Sequence, residues 1–214
     1  MKIERDFFYD PNLVLFLPLY KLDGTSIKDE SAYGRLCTVT GALWTPRGRD
    51  FDGIDDSIDC GSLAAYLTNQ LTLEYWIKFD ALVASFFHCG HVQLLLGGYD
   101  WGMYNTGGYA VTFYTCADAV DKSVALGVTL TTNTWYHLVG TYNGATMRGY
   151  ANGVDGGSST AQTGNLRNSG YTFIMGRSND LEVDGMFGEL RVYNRAFTPL
   201  EVQHNFLVTK WRYQ

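Results

Sequence analysis

The residues best suited to contact a ligand lie in one segment, Gly97-Gly98-Tyr99-Asp100-Trp101-Gly102-Met103-Tyr104-Asn105-Thr106-Gly107-Gly108-Tyr109. Aromatic rings stack on the apolar faces of sugars, and Asn, Asp and Gly in turns supply hydrogen bonds. Five glycines in this span indicate loops, which makes Tyr99, Asp100, Trp101, Tyr104 and Asn105 the candidate ligand-binding residues. The competing reading places some of these aromatics inward on a short strand pair.

Other clusters carry weaker chemistry. Asp52, Asp55, Asp56 and Asp59 are close in sequence. They do not satisfy the alternating acid pattern, central Gly and twelfth-position Glu of an EF-hand, so they read as turn carboxylates facing solvent. His88-Cys89-Gly90-His91 offers three soft ligands but no second cluster to close a tetrahedral zinc site. His88 and Cys89 therefore read as strand residues and His91 as part of the following turn. A glycosidase needs carboxylates flanking the scissile bond. The nearest approach, Glu182-Val183-Asp184-Gly185-Met186-Phe187, has Phe where a third acid would stand. Ser158-Ser159-Thr160 has no histidine near it in sequence. No catalytic residue is assigned, and the chain reads as a non-enzyme.

The elements that must position these residues are strands. Leu71-Thr72-Leu73-Glu74-Tyr75-Trp76-Ile77-Lys78-Phe79 alternates with period two, which predicts an antiparallel strand buried on one face. Trp135–Tyr142 carries aromatics on both faces and is expected to be covered on both. Further strands are predicted at Asn12–Tyr20, Arg35–Val39, Ser57–Cys60, Gln93–Gly97, Ala110–Thr115, Met147–Ala151, Tyr171–Met175 and Met186–Tyr193. Turn dipeptides such as Asp52-Gly53, Asn143-Gly144 and Asn152-Gly153 separate them. Thr198-Pro199-Leu200-Glu201 is a capping box. With the Phe197–Val202 staple, it predicts a short helix running to about Leu207.

Lys and Arg number 16 against 22 Asp and Glu in the 214 residues, a net charge of −6. An acidic chain lacks the basic footprint that phosphate backbones require, so nucleic acid is not an expected partner. Charged residues make up 18% and hydrophobic ones 46%, which favours a packed core over disorder. No apolar run reaches the roughly 18 residues that cross a bilayer, so no membrane insertion is expected. Met1–Asp6 carries charges of both signs, and the apolar run Leu13–Tyr20 is short and contains Pro18. Neither reads as a signal peptide. The four cysteines, Cys37, Cys60, Cys89 and Cys116, sit in apolar or small-residue contexts and read as buried thiols, although an even count permits disulfides.

Six segments in order resemble the laminin-G-like, concanavalin A-like lectin/glucanase family. Arg49–Asp59, with Phe51-Asp52-Gly53 at its centre, is similar to the family's strand–turn–strand, and Leu71–Ile77 to its Trp-bearing strand. Trp135–Gly144, Tyr150-Ala151-Asn152-Gly153, Ile174-Met175-Gly176-Arg177 and Gly185–Arg195 with Ala196-Phe197-Thr198 complete the set. The resemblance covers about Asn12 to Leu207. It implies an all-β fold, a two-sheet antiparallel β-sandwich of concanavalin A-like jelly-roll type with one short C-terminal helix. Residues 1–11 form an N-terminal arm and 12–214 a single domain. Trp76, Trp135 and Tyr136 are expected to fill the space between the sheets, and Arg195 to pair with a carboxylate such as Glu189. The resemblance also implies a structural calcium ion held by Asp29 and Glu189, with Asp23 as a neighbour. Gly188 stands where the family usually has Asp, which weakens that set.

The expected function is surface recognition or adhesion, with a glycan or a protein surface as ligand. The alternative is a structural or decorating subunit of a virion or other multi-copy assembly, docking through the aromatic Phe7-Phe8-Tyr9 of the arm as a homo-oligomer or on shell partners. Both imply an extracellular or virion-surface location.

Overall fold

The computed structural model describes residues 10–83, 86–93, 98–117, 120–159, 163–178 and 181–214. Most of the arm, including Phe7, Phe8 and Tyr9, lies outside the described residues. In chain order the strands are β1 (Leu13–Leu17), β2 (Ser26–Lys28), β3 (Leu36–Thr40), β4 (Leu43–Thr45), β5 (Gly48–Asp52) and β6 (Ser57–Asp59). Next come β7 (Leu71–Phe79), β8 (Phe86–Gln93), β9 (Gly98–Asn105), β10 (Ala110–Ala117), β11 (Val120–Thr129) and β12 (Trp135–Tyr142). The last are β13 (Met147–Ala151), β14 (Val154–Ser159), β15 (Thr172–Met175), β16 (Arg177–Ser178), β17 (Leu181–Glu182) and β18 (Asp184–Tyr193), followed by helix α1 (Pro199–Thr209).

These strands form a sandwich. The first sheet has the order β14-β13-β12-β7-β18-β5-β4, with β1 added on β18. The second has the order β11-β10-β9-β8-β15-β6-β3-β2, and β16–β17 is a separate hairpin. Neighbours run antiparallel throughout. The period-two pattern explains the core. Leu71, Leu73, Tyr75, Ile77 and Phe79 of β7 point between the sheets and join one cluster with Phe86, Phe113, Phe173 and Phe187. Burying side chains of this size contributes about 1.5–3 kcal/mol each. Asn152 and Gly153 both have positive φ, 52° and 76°, the pair of left-handed residues that a tight β13–β14 hairpin needs.

The other face of β7 departs from its amphipathic pattern. Thr72, Glu74 and Trp76 are buried as well, because α1 and the C-terminal residues lie across them. Trp76 stacks on Phe206 and Tyr213 with ring centroids 5.8 and 4.6 Å away, and its Nε1 donates to Thr209 Oγ1 at 2.9 Å. Trp76 and Trp135 therefore lie on the helix side and do not fill the space between the sheets; Trp135 packs on Tyr213 at 4.7 Å. Tyr136 does join the central core. Beneath α1 runs a buried polar line: His137 Nε2 lies 2.8 Å from Glu74 Oε1, and Asn205 Nδ2 donates to Glu74 Oε2 at 3.1 Å. These bonds hold Glu74 below the usual carboxylate range against the opposing effect of burial.

The helix begins as its capping box predicts and ends two residues beyond the expected Leu207. Glu201 N–H donates to Thr198 Oγ1 at 3.3 Å, and Thr198 N–H donates back to Glu201 Oε2 at 2.7 Å. Arg195 pairs not with Glu189 but with Asp10 and Glu201, at 2.7 Å each. The missing family Asp has a steric cause: a Cβ on Gly188 would lie 2.3 Å from the Tyr213 ring. The sequence reading did not include β9 in the glycine-rich segment, β11, β14 or the short strands β2, β4, β16 and β17, and the strand predicted at Gln93–Gly97 lies mostly outside the described residues.

Candidate ligand-binding face

The glycine-rich segment read as loops is strand β9, and it divides the five candidate residues between two faces. Trp101 and Asn105 point inward and are buried. Trp101 lies between His91 and Phe173, with ring centroids 5.7 and 5.5 Å away. Asn105 Oδ1 accepts from Phe86 N–H at 3.0 Å. Tyr99 and Tyr104 point outward and are half-buried. Strict alternation would put Tyr99 and Trp101 on the same side. The β8–β9 register shifts between His91 and Val92, and this bulge turns Tyr99 away from Trp101.

On the outer face of the second sheet, Tyr99 and Tyr104 pack against Phe87, Val92 and Ile174. Tyr114 of β10 joins them, half-buried, with its ring centroid 6.4 Å from that of Tyr99 and its hydroxyl donating to Tyr99 O at 3.3 Å. The Phe87 ring lies over Gly90 and Gly102: a Cβ at either glycine would come within 2.8 Å of it. These two glycines are thus the floor of an aromatic patch. Thr172 and Asp59, which hydrogen-bond to each other, lie across neighbouring strands β15 and β6.

The patch is held firmly. Asp100 is fully buried and accepts from His91 Nδ1 at 3.0 Å, Arg167 Nε at 2.7 Å, Ser169 N at 3.0 Å and Ser169 Oγ at 2.8 Å. Burial disfavours its charge, but these hydrogen bonds outweigh burial and keep Asp100 below the ordinary carboxylate range. Arg167 also donates to Tyr99 O, and Ser178 Oγ donates to the Tyr99 hydroxyl at 3.1 Å. The backbone and ring of Tyr99 are therefore both fixed before any ligand arrives. Tyr114, Phe87 and Arg167 were not among the sequence candidates. The Val111–Phe113 alternation of β10 does signal that Tyr114 points outward. Nothing in the sequence signals the Arg167–Asp100 contact, which spans 67 residues.

The carboxylates implied as calcium ligands do not converge. Among the described residues, Asp23, Asp29 and Glu189 make no cluster of acidic oxygens within 4.8 Å. Each faces an arginine: Asp23 pairs with Arg49, Asp29 with Arg35 at 3.0 Å, and Glu189 with Arg191 and Arg212 at 3.1 and 2.8 Å. Asp29 accepts three further bonds, from Phe16 N, Ser31 N and Ser31 Oγ. This donor set does not fit a calcium ion, whose charge-balancing role arginines already fill. Asp52, Asp55 and Asp56 do come together as a turn, but only Asp52 and Asp55 face solvent: Asp56 is buried, because its Oδ2 turns inward to accept from Asp52 N–H at 2.9 Å. Asp59 instead accepts from Gly61 N–H at 2.8 Å.

Neither histidine of the His88–His91 run is placed as a metal ligand would be. Both lie within β8, so His91 is not on a turn. His88 Nδ1 meets the Tyr75 hydroxyl at 2.7 Å inside the core, and burial pushes its pKa down to about 3. All four cysteines are buried thiols. Glu182 pairs with Arg177 at 3.8 Å on the hairpin, whereas Asp184 faces Asp52 across β18 and β5. They do not form an opposed acid–base pair. No helix of the described residues is long and apolar enough to cross a membrane.

Comparison with known proteins agrees with this architecture. No curated protein sequence matches the chain. Among solved structures, it is similar to the Trypanosoma rangeli sialidase in complex with sialic acid: TM-score 0.71 and 16% identity, covering 95% of this chain and 34% of the sialidase. The chain thus spans about a third of that enzyme's length. The binding domain of Paraclostridial Mosquitocidal Protein 1 superposes with a TM-score of 0.71 at 16% identity, covering 91% of this chain and 52% of the other. Domain 4 of AbnA, a GH43 extracellular arabinanase from Geobacillus stearothermophilus in complex with arabinotriose, gives 0.69 at 18% identity, covering 90% and 97%. At these identities the likeness is one of fold. Residues 52–203 match the Laminin_G_3 family, and the chain accordingly belongs to the concanavalin A-like lectin/glucanases superfamily.

Proposed function

We propose that this domain is a glycan-binding recognition module that does not cleave glycosidic bonds, and that it binds through the outer face of the second sheet at Tyr99, Tyr104 and Tyr114. The observation that carries this reading is the half-exposed tyrosine patch on a glycine floor, with its central residue anchored by Arg167 and Ser178. Rigid aromatic faces suit the stacking of sugar rings, and preorganisation lowers the cost of binding. Two of the similar structures support a carbohydrate ligand: the AbnA domain holds arabinotriose, and the sialidase holds sialic acid. A single shallow face binds weakly, so display of several copies on an extracellular or virion surface would supply the working affinity.

The test is a glycan array followed by calorimetry on the best ligand. Tyr104→Ala should weaken binding at least tenfold, on the order of the 1–2 kcal/mol that a stacked ring contributes, while its circular dichroism stays that of the parent. Unchanged affinity in Tyr104→Ala and Tyr99→Ala would exclude this face.

A further inference from the structure

At the end of the second sheet, three side chains far apart in sequence line up. Ser62 Oγ lies 3.2 Å from His91 Nε2, and His91 Nδ1 lies 3.0 Å from Asp100 Oδ2. His91 and Asp100 are fully buried, whereas Ser62 is exposed. We propose that Ser62 is an activated nucleophile that takes the acyl group of short carboxylic esters, with His91 as its general base and Asp100 as the residue that positions His91. This inference is independent of the glycan-binding reading.

The geometry orients the base. Asp100 is held as a carboxylate by Arg167 and Ser169, and a carboxylate only accepts hydrogen bonds. His91 therefore donates from Nδ1, and in its role as general base its Nε2 lone pair accepts the Ser62 Oγ–H. The imidazole cannot turn out of this arrangement, because its ring is stacked parallel to Trp101, 5° between planes, and lies 6.3 Å from Tyr171. The hydroxyl is placed by its own turn: Ala64 N–H donates to Ser62 Oγ at 3.3 Å. Gly61, immediately before it, has φ +69°, and nothing lies within 4 Å of where a Cβ would stand. Ser62 itself is exposed, so a reacting carbonyl approaches its hydroxyl from solvent. A nucleophile bonded to a base, and the base to an oriented carboxylate, is the arrangement that acyl transfer requires.

The step balances as follows. Ser62 Oγ bonds to the ester carbonyl carbon as its proton passes to His91 Nε2. The tetrahedral intermediate then expels the alcohol, which takes that proton from Nε2. Water attacks the acyl-serine through the same base, the acid leaves, and Ser62 regains its proton.

The probe is a small alkyl fluorophosphonate, in which the Oγ–P bond forms, the P–F bond breaks and fluoride leaves. Intact mass and peptide mapping of the full chain should place one adduct on Ser62, and p-nitrophenyl acetate should be hydrolysed above background. Ser62→Ala, a small change at an exposed site, should lose both. His91→Gln should slow labelling about a hundredfold or more, the usual contribution of a general base. In Asp100→Asn, the ¹⁵N shifts of His91 should report loss of the Nδ1–H tautomer together with slower labelling; a carboxylate serving only as a structural anchor would leave the Ser62 labelling rate unchanged. Absence of an adduct in the wild type, an adduct that persists in Ser62→Ala, or Ser62 labelling no faster than exposed Ser158 would each overturn the proposal.

Discussion

Restoring the family's aspartate at position 188 should destabilise this protein and should not create a metal site. A Cβ on Gly188 would lie 2.3, 2.5 and 2.7 Å from Tyr213 Cε1, Cζ and Oη. Unstrained carbon contacts sit near 3.5–4 Å, so the ring would have to retreat by roughly 1.2 Å. It has little room: Trp76 stacks on it and Trp135 packs against it at a tilt, with centroids 4.6 and 4.7 Å away. Overpacking of this kind costs about 1–3 kcal/mol. Gly188→Ala should therefore lower the melting temperature by roughly 2–12 °C, at 2–4 °C per kcal/mol for a chain of this size. Gly188→Asp adds a carboxylate beside Glu189, whose two arginines are already engaged. Its cost should rise to about 3–5 kcal/mol, the range for a buried charge without a partner. Scanning calorimetry with and without calcium is the assay. A Gly188→Ala melt within about a degree of the parent, or calcium-dependent stabilisation of Gly188→Asp, would refute the reasoning.

Three further outcomes are expected. Burial holds the His88 pKa near 3 against an ordinary value of 6.5, so the unfolded chain binds a proton that the folded one excludes; stability is complete above pH 6.5 and declines as pH falls toward 3. Asp100 and Glu74, both depressed, add to the loss as pH falls from the ordinary carboxylate range down through their lower folded values, and NMR should show the His88 ring resonances unmoved between about pH 8 and pH 5. Cys37 and Cys60 are the inward-facing pair one step beyond Thr38↔Asp59, so diamide should join them and leave Cys89 and Cys116 as thiols on peptide mapping; closing a loop of about two dozen residues should raise stability by ~3 kcal/mol. Thr198→Ala should cost about 1 kcal/mol in chemical denaturation through loss of the α1 cap.

Local patterns in the sequence determined the parts of this protein that depend on near neighbours. The alternation of Leu71–Phe79 specifies a strand because side chains change face at every residue, and Thr198-Pro199-Leu200-Glu201 specifies a helix start because its hydrogen bonds close within one turn. Asn152-Gly153 specifies a hairpin because of its positive φ angles. The tertiary structure alone decided which faces and charges meet. Nothing near Glu74 in the chain shows that α1, some 130 residues later, seals its face of the sheet. A single bulge sends Tyr99 outward and Trp101 inward, although two residues apart they share a face in any regular strand. The carboxylates Asp23, Asp29 and Glu189 were legible as acids, but their arginine partners were set by strand pairing across the sandwich. Ser62, His91 and Asp100 likewise meet only because β8, β9 and the turn after β6 converge at one end of the second sheet. Backbone propensity acts over a few residues, whereas a site requires groups whose separation in space is unrelated to their separation along the chain.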